Sequence, residues 1–291
     1  MVESYAVSSG WGRAWPAPAK LNLMLRIVGR RPDGYHLLQT VFQFVELCDW
    51  ITFNSRPDGV VKLKTPLPGV PENQDLTVRA AKLLKDATGF RGGVEIDVDK
   101  RLPMGGGIGG GSSDAATTLV VLNALWGLGL GEEELLPLGL QLGADLPVFV
   151  YGRSAWAEGV GENLTPLDLP EPWYVVVVPD CHVSTQKVFA AEDLTRNSEA
   201  ITIGDFLSGQ RGNDCLSVVR KMYGDVNIAL DDLSAFGEAR LTGTGACVFA
   251  AFDSLAEARG VAGSLERRWR VFVTKGVNHS PLYRELLRAT S

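Results

Sequence analysis

Only three of the 291 residues are His and four are Cys. Cys48, Cys181, Cys215 and Cys247 are scattered and form no CxxC pair, which excludes a zinc ribbon or a thioredoxin-type motif. They read as reduced, mostly buried thiols, and no set of metal-ligating side chains is expected. Basic clusters are also missing. The net charge is −6 and no run of five Lys or Arg occurs, so a nucleic-acid partner is excluded. The longest apolar stretch, 119–130, is interrupted by Asn123 and falls short of the ~20 residues of a membrane span. The N-terminus has no basic region followed by an apolar run, so no leader or transit segment is expected and a bacterial cytoplasm is the expected compartment. Charged residues make up 21% and hydrophobic residues 45%, which excludes a disordered chain. Nothing in the sequence specifies an oligomeric state.

What the chain does have is glycine. There are 33, where ordinary usage would give roughly 20. At this length two domains are expected. The proline-rich stretch 164–172, with Pro166, Pro170 and Pro172, is the candidate boundary, dividing the chain into 1–165 and 166–291. Apolar spacing predicts strands over 21–28, 50–53, 60–64, 94–99, 173–179, 246–252 and 270–274. The segment 37–47 reads as a strand, with helix as the alternative. Helices are expected over 76–87, 115–126, 132–142, 217–223 and 255–264. Asp75 reads as the N-cap of the first, and Ser112, Ser113 or Asp114 as that of the second. Residues 115–126 are apolar nearly all round, the pattern of a buried helix. Arg30-Arg31-Pro32-Asp33-Gly34 reads as a turn.

Six of the seven residues 105–111 are Gly, between a strand and the buried helix. Glycine permits positive φ and lets a ligand approach the main chain. Successive amides without side chains can converge on one anion, and a helix N-terminus adds unpaired N–H groups and its dipole. A linker is not followed at once by a rigid apolar helix, so the arrangement reads as a phosphate cradle. It is not a Walker A loop, because no Gly-Lys-Ser/Thr ends it. Gly105-x-Gly107-x-x-Gly110 fits the dinucleotide fingerprint formally. However, Lys100–Met104 separates it from the strand, and the acid twenty-odd residues on, Glu132, starts a helix. No His-Arg-Asp or Asp-Phe-Gly occurs, so a protein kinase is excluded.

The longer string from Pro103-Met104-Gly105 through Ile108 to Gly111-Ser112-Ser113-Asp114-Ala115-Ala116 resembles the central motif of the GHMP family of small-molecule kinases. Its doubled-glycine form is similar to one subfamily. Members of that subfamily phosphorylate the tertiary C2 hydroxyl of a cytidine-diphosphate-linked polyol on the non-mevalonate isoprenoid route. Three further segments resemble the same subfamily, in family order. The first is Pro18-Ala19-Lys20-Leu21-Asn22 with Arg31-Pro32-Asp33-Gly34-Tyr35-His36. The second is Gly143-Ala144-Asp145-Leu146-Pro147, and the third is Leu241-Thr242-Gly243-Thr244-Gly245. The galactokinase signature Gly-Arg-x-Asn-x-Ile-Gly-Glu-His is absent.

The resemblance implies an α+β, two-domain GHMP kinase fold: an N-terminal domain like ribosomal protein S5 and a C-terminal ferredoxin-like α/β sandwich. It implies ATP as co-substrate, with Mg²⁺. Phosphoryl transfer rests on positioning and charge stabilisation, so a protein of charge −6 needs a locally positive pocket. The ATP site would comprise Lys100, Pro103, Met104, Gly105, Gly106, Gly107, Ile108, Gly109, Gly110, Gly111, Ser112 and Ser113. A Ser112 or Ser113 hydroxyl would reach phosphate or Mg²⁺. By resemblance Lys20 and Asp145 are catalytic, Asp145 taking or orienting the acceptor proton and Lys20 offsetting charge. Taken alone, such a Lys reads as a surface snorkeler and such an Asp as an ordinary surface or N-cap residue. The substrate side would comprise Asn22, Tyr35, His36, Thr185, Phe189 and Thr244. There Tyr35 and Phe189 stack on the cytosine and His36 hydrogen-bonds it. Asp75 stands where the subfamily usually has Asn, and is not assigned to the site. Another GHMP kinase (mevalonate, homoserine or sugar type) and a non-catalytic nucleotide-binding protein on the same fold are the alternatives.

Overall fold

The computed structural model describes residues 10–32 and 34–290. Asp33 of the expected turn, and residues 1–9 on which the leader reading rests, lie outside the described residues. The strands are β1 (Ala14–Arg30), β2 (His36–Arg56), β3 (Val61–Leu63), β4 (Gly93–Asp99), β5 (Ala155–Gly159), β6 (Asn163–Pro166), β7 (Trp173–Val178), β8 (Arg240–Leu241), β9 (Val248–Phe252) and β10 (Arg270–Val277). The helices are α1 (Leu76–Thr88), α2 (Gly110–Leu125), α3 (Glu132–Leu142), α4 (Leu146–Tyr151), α5 (Thr185–Ala190), α6 (Ile203–Leu207), α7 (Leu216–Met222), α8 (Gly224–Ser234), α9 (Leu255–Leu265) and α10 (Pro281–Thr290). The class is α+β.

β2 is the spine. One edge pairs antiparallel with β1 from Ala14↔Thr52 to Arg30↔His36. Along the other edge β5, β10 and β4 follow one another, at Leu38–Phe42, at Phe44 and Val45, and at Trp50–Arg56. The segments expected at 37–47 and 50–53 are thus one strand. The polar residue between them, Asp49, is fully buried but satisfied, since the amides of Arg101 and Leu102 donate to its carboxylate at 2.5 and 2.7 Å. The C-terminal strands run in the order β10, β7, β9, β8, all antiparallel.

Three apolar clusters hold this frame. One packs α1, α2, α4 and α10 on the β1/β2/β4 sheet. A second packs α7, α8 and α9 on β7 and β9. The third joins them, with Leu21, Val41, Ile108, Val176 and Phe249 in contact. β7 feeds both: Val175 and Val177 face the second cluster, Tyr174 and Val176 the third. A strand buried on both faces needs no polar alternation, so 175–178 is a plain valine run.

One expectation about the glycine loop is corrected. α2 begins at Gly110, not at 115, and its N-cap is Gly109, with φ 78. Left-handed Gly109 turns the chain into the helix, so Ser112, Ser113 and Asp114 sit inside the first turns rather than capping them. No side chain caps α2.

Candidate active site

The loop between β4 and α2 is shaped by its glycines. Gly107 has φ 73, and a Cβ there would lie 2.4 Å from the Thr242 carbonyl oxygen. Gly109 has no more room, with Phe149 Cζ at 2.6 Å from a built Cβ. The loop carbonyls are taken up by the protein. Gly106 O accepts from Cys247 N (3.0 Å), Gly107 O from Thr242 Oγ1 (3.2 Å), and Ile108 O from Lys20 N (3.0 Å). The uncapped start of α2 leaves N–H groups open to an anion. The loop walls a cavity of about 670 Å³.

Lys20 is 2% exposed, so its cation is stable only with partners. Nζ donates to Asn22 Oδ1 at 2.6 Å and to Gly107 O at 3.3 Å, and lies 3.1 Å from Asp145 Oδ2. The sequence-only reading of a snorkeling surface Lys is therefore displaced. Asp145 stands at the N-cap position of α4 yet makes no capping bond, and its side chain is 44% exposed. Its carboxylate is thus free to face both Lys20 and the cavity, which it lines. Asn22 is fixed from both sides: its amide N donates to Thr242 Oγ1 (3.0 Å) and its Nδ2 to Thr40 Oγ1 (2.9 Å).

The cavity takes in Lys20, Asn22, Lys100, Pro103, Met104, Gly105–Gly107, Gly109–Gly111, Ser112, Asp145, Thr185, Phe189 and Thr244. Four expected residues, Ile108, Ser113, Tyr35 and His36, stand apart from its lining. Ile108 packs in the joining cluster, and Ser113 is fully buried with its hydroxyl unpartnered. Tyr35 is exposed, and His36 stacks on Phe189 with ring centroids 5.0 Å apart. Thr185 and Thr244 join hydroxyls at 2.9 Å. Lys100 does not present a free charge. It forms an ion pair with Asp49 and another with Asp114 at 2.6 Å. Burial alone would lower its pKa, but Asp114 and Asp49 outweigh burial and hold it above the usual lysine value. Burial drives Asp114 up to about 7, despite Lys100.

Sequence reasoning missed Asp49, Thr40, Phe42 and Asp114 as parts of the site, and left out Asp75. Asp75 does cap α1, accepting from Thr77 N and Val78 N, and it also lines the cavity. Thr40 and Phe42 share one face of β2 with the period of two, a signal that becomes useful only once the facing side is known.

Two family models match the chain: "GHMP kinases N terminal domain" over residues 75–153 and "GHMP kinases C terminal" over 187–271. The 4-diphosphocytidyl-2-C-methyl-D-erythritol kinase of Methylococcus capsulatus is 57% identical over 272 residues, covering 93% of this chain and 94% of that one. The protein of the same name from Nitrosococcus oceani is 57% identical over 268 residues, covering 92% and 96%. A crystal structure of 4-(cytidine 5'-diphospho)-2C-methyl-D-erythritol kinase superposes with a TM-score of 0.79 at 32% identity, covering 90% of this chain and 98% of that one.

Proposed function

The chain belongs to the GHMP kinase family, and within it we infer an ATP-dependent kinase that phosphorylates the C2 hydroxyl of 4-diphosphocytidyl-2-C-methyl-D-erythritol. The observation that carries the site assignment is the Lys20–Asp145 pair, 3.1 Å apart beside Gly107 on one wall of the cavity. In this reading the amides of Gly105–Gly111 and the start of α2 hold the ATP phosphates. Asp145 accepts or orients the acceptor hydroxyl proton. Lys20 holds that carboxylate in place and offsets charge on the phosphoryl group in flight. Asn22, Thr185 and Thr244 face the acceptor and its diphosphate, and Tyr35, His36 and Phe189 hold the base. Base–aromatic stacking contributes about 1–3 kcal/mol. A division near residue 165 leaves the glycine loop, Lys20 and Asp145 on the N-terminal side, while the substrate side draws Asn22, Tyr35 and His36 from that half and Thr185, Phe189 and Thr244 from the other.

Mg²⁺ belongs to the same reading. Among the described residues no group of three His, Cys, Asp or Glu is placed to hold a metal ion. That suits an ion held mainly by nucleotide phosphates and water, with one or two protein oxygens. On the cavity wall Ser112 would offer a hydroxyl and Asp145 a carboxylate. When bound, the ion would neutralise phosphate charge. Among the described residues no helix is long and apolar enough to cross a membrane. All four cysteines are unpaired, as a bacterial cytoplasm would keep them.

Coupled measurement of ADP release tests the function. Turnover is expected with the cytidylyl acceptor and not with galactose, homoserine or mevalonate; no turnover with the cytidylyl acceptor would refute the assignment. Asp145→Asn and Lys20→Ala are each expected to lower kcat by at least about 100-fold while ATP still binds, the scale of a lost proton acceptor or charge stabiliser. Near-normal rates would remove these residues from the chemistry.

A further inference from the structure

Arg196 belongs to none of the motifs, yet it ties together the wall that carries Phe189. It lies in the loop between α5 and α6, and its guanidinium reaches four acceptors. Nε donates to His36 Nε2 at 3.3 Å and Nη1 to Leu194 O at 3.1 Å. Nη2 donates to Phe189 O at 3.0 Å and to Ala191 O at 2.6 Å. The His36 ring lies against Phe189, the planes 26° apart. One side chain thus joins the end of α5, the loop after it and the first residue of β2.

A guanidinium offers donors only and does not lose its proton in proteins. An imidazole nitrogen that accepts from it carries no hydrogen, so a neutral ring must carry its hydrogen on the other nitrogen. We propose that Arg196 is a positioning residue that fixes His36 as its Nδ1–H tautomer and thereby sets which pyrimidine the acceptor substrate carries. This rests on the kinase reading above. The charged groups facing His36 agree with a neutral ring. Its partner across the β1/β2 register is Arg30, and Arg196 stands at its Nε2. Burial, then Arg196, then Arg30 push His36 below the ordinary histidine pKa. The tautomer matters because cytosine N3 is an acceptor and uracil N3 is a donor. A ring with one fixed N–H donor complements the first and opposes the second. A ring free to exchange tautomers would serve both.

Nitrogen NMR of ring-labelled histidine in the wild-type protein tests the tautomer directly. Three histidines are present, and His36→Gln assigns the signal. Hydrogen on Nδ1 is expected; hydrogen on Nε2, or an exchanging mixture, overturns the proposal with no Arg196 variant needed. Steady-state kinetics test the consequence. Arg196→Ala is expected to raise KM for the cytidylyl acceptor about tenfold, the scale of one unmatched hydrogen bond. KM for ATP and kcat should shift by less than about twofold, and the preference over the uridylyl analogue should narrow severalfold. Arg196→Lys, which lacks the fork, should not rescue. An equal rise in KM for ATP, or an unchanged pyrimidine preference, overturns the proposal. A wild-type enzyme that fails to turn over the cytidylyl acceptor refutes the kinase reading instead, and the NMR result still decides the coupling of Arg196 to His36.

Discussion

At Gly107 the backbone itself is part of the site. Its φ is 73, and the nearest atoms to a built Cβ are the carbonyl oxygens of Thr242 and Gly245, at 2.4 and 2.8 Å. Neither is the loose end of a side chain, so relief requires the loop to move. Its carbonyl also receives Lys20 Nζ and Thr242 Oγ1. Gly107→Ala is therefore expected to displace the glycine loop from Lys20. Positive φ costs an L-residue about 1–2 kcal/mol, and the steric displacement adds to it. The expected outcome is a drop of at least about tenfold in kcat/KM for ATP with a lowered thermal midpoint, read by initial rates and by calorimetry. Wild-type kinetics would mean that the loop relaxes away from Thr242 without consequence. The glycine run announced itself in the sequence because this constraint is local. Lys20 stood out only by family resemblance and otherwise read as a surface snorkeler, since only folding brings residues 20, 107 and 145 together.

Helix α2 follows the glycine loop and carries a buried charge cluster at its first turns. Lys100 lies between Asp49 and Asp114, one cation against two carboxylates. Asp114 is 3% exposed, one of its oxygens has no partner, and burial raises its pKa from 3.8 to about 7. The native protein therefore binds a proton between about pH 4 and 7 that the unfolded chain has lost. Stability contributed by this group is full below pH 4 and falls as pH rises towards 7, at about 1.4 kcal/mol per pH unit at most. Asp114→Asn removes that dependence and leaves Lys100 paired with Asp49. Urea titrations should show the variant close to wild type at pH 4 and more stable at pH 8. A wild type that gains on the variant as pH rises would contradict this. Elements with local signals were legible in the sequence. Asp75 marked α1, and 132–142 matches α3 to the residue. α4, α5 and α6 were not seen, because five or six residues span too little of a 3.6 period to show one. The first half of β1 was hidden by Pro16 and Pro18. It is tolerated because β1 pairs in the sheet only with β2, so a missing N–H can face away from the ladder.

The chain's last residues fasten its two halves to each other. β10 starts beside β7 and ends on β2, at Val45 and Phe44. Ser154 N then donates to Asn278 O at 2.8 Å, and Ser280 N to Gly152 O at 2.9 Å. α10 lays Leu282 and Leu286 into the N-terminal core, at 1% and 0% exposure. A division of the sequence near residue 165 therefore does not divide the cores in the same place: the final helix returns to the first one. The cavity depends on that fastening. Asn22 and Gly107 come from one side, Thr242 and Thr244 from the other, and they meet through bonds such as Asn22 N to Thr242 Oγ1. If the halves are one cooperative unit, a cavity cut under α10 should loosen both. Leu286→Ala is expected to cost about 2–5 kcal/mol. Calorimetry should show one transition moved down by at least about 4 °C. The kcat at 25 °C should hold, because Leu286 lies outside the cavity lining. Splitting into two transitions, with the C-terminal sheet melting at its wild-type temperature, would instead make the halves independent, and the glycine loop and the turn at 242–245 would meet only by docking.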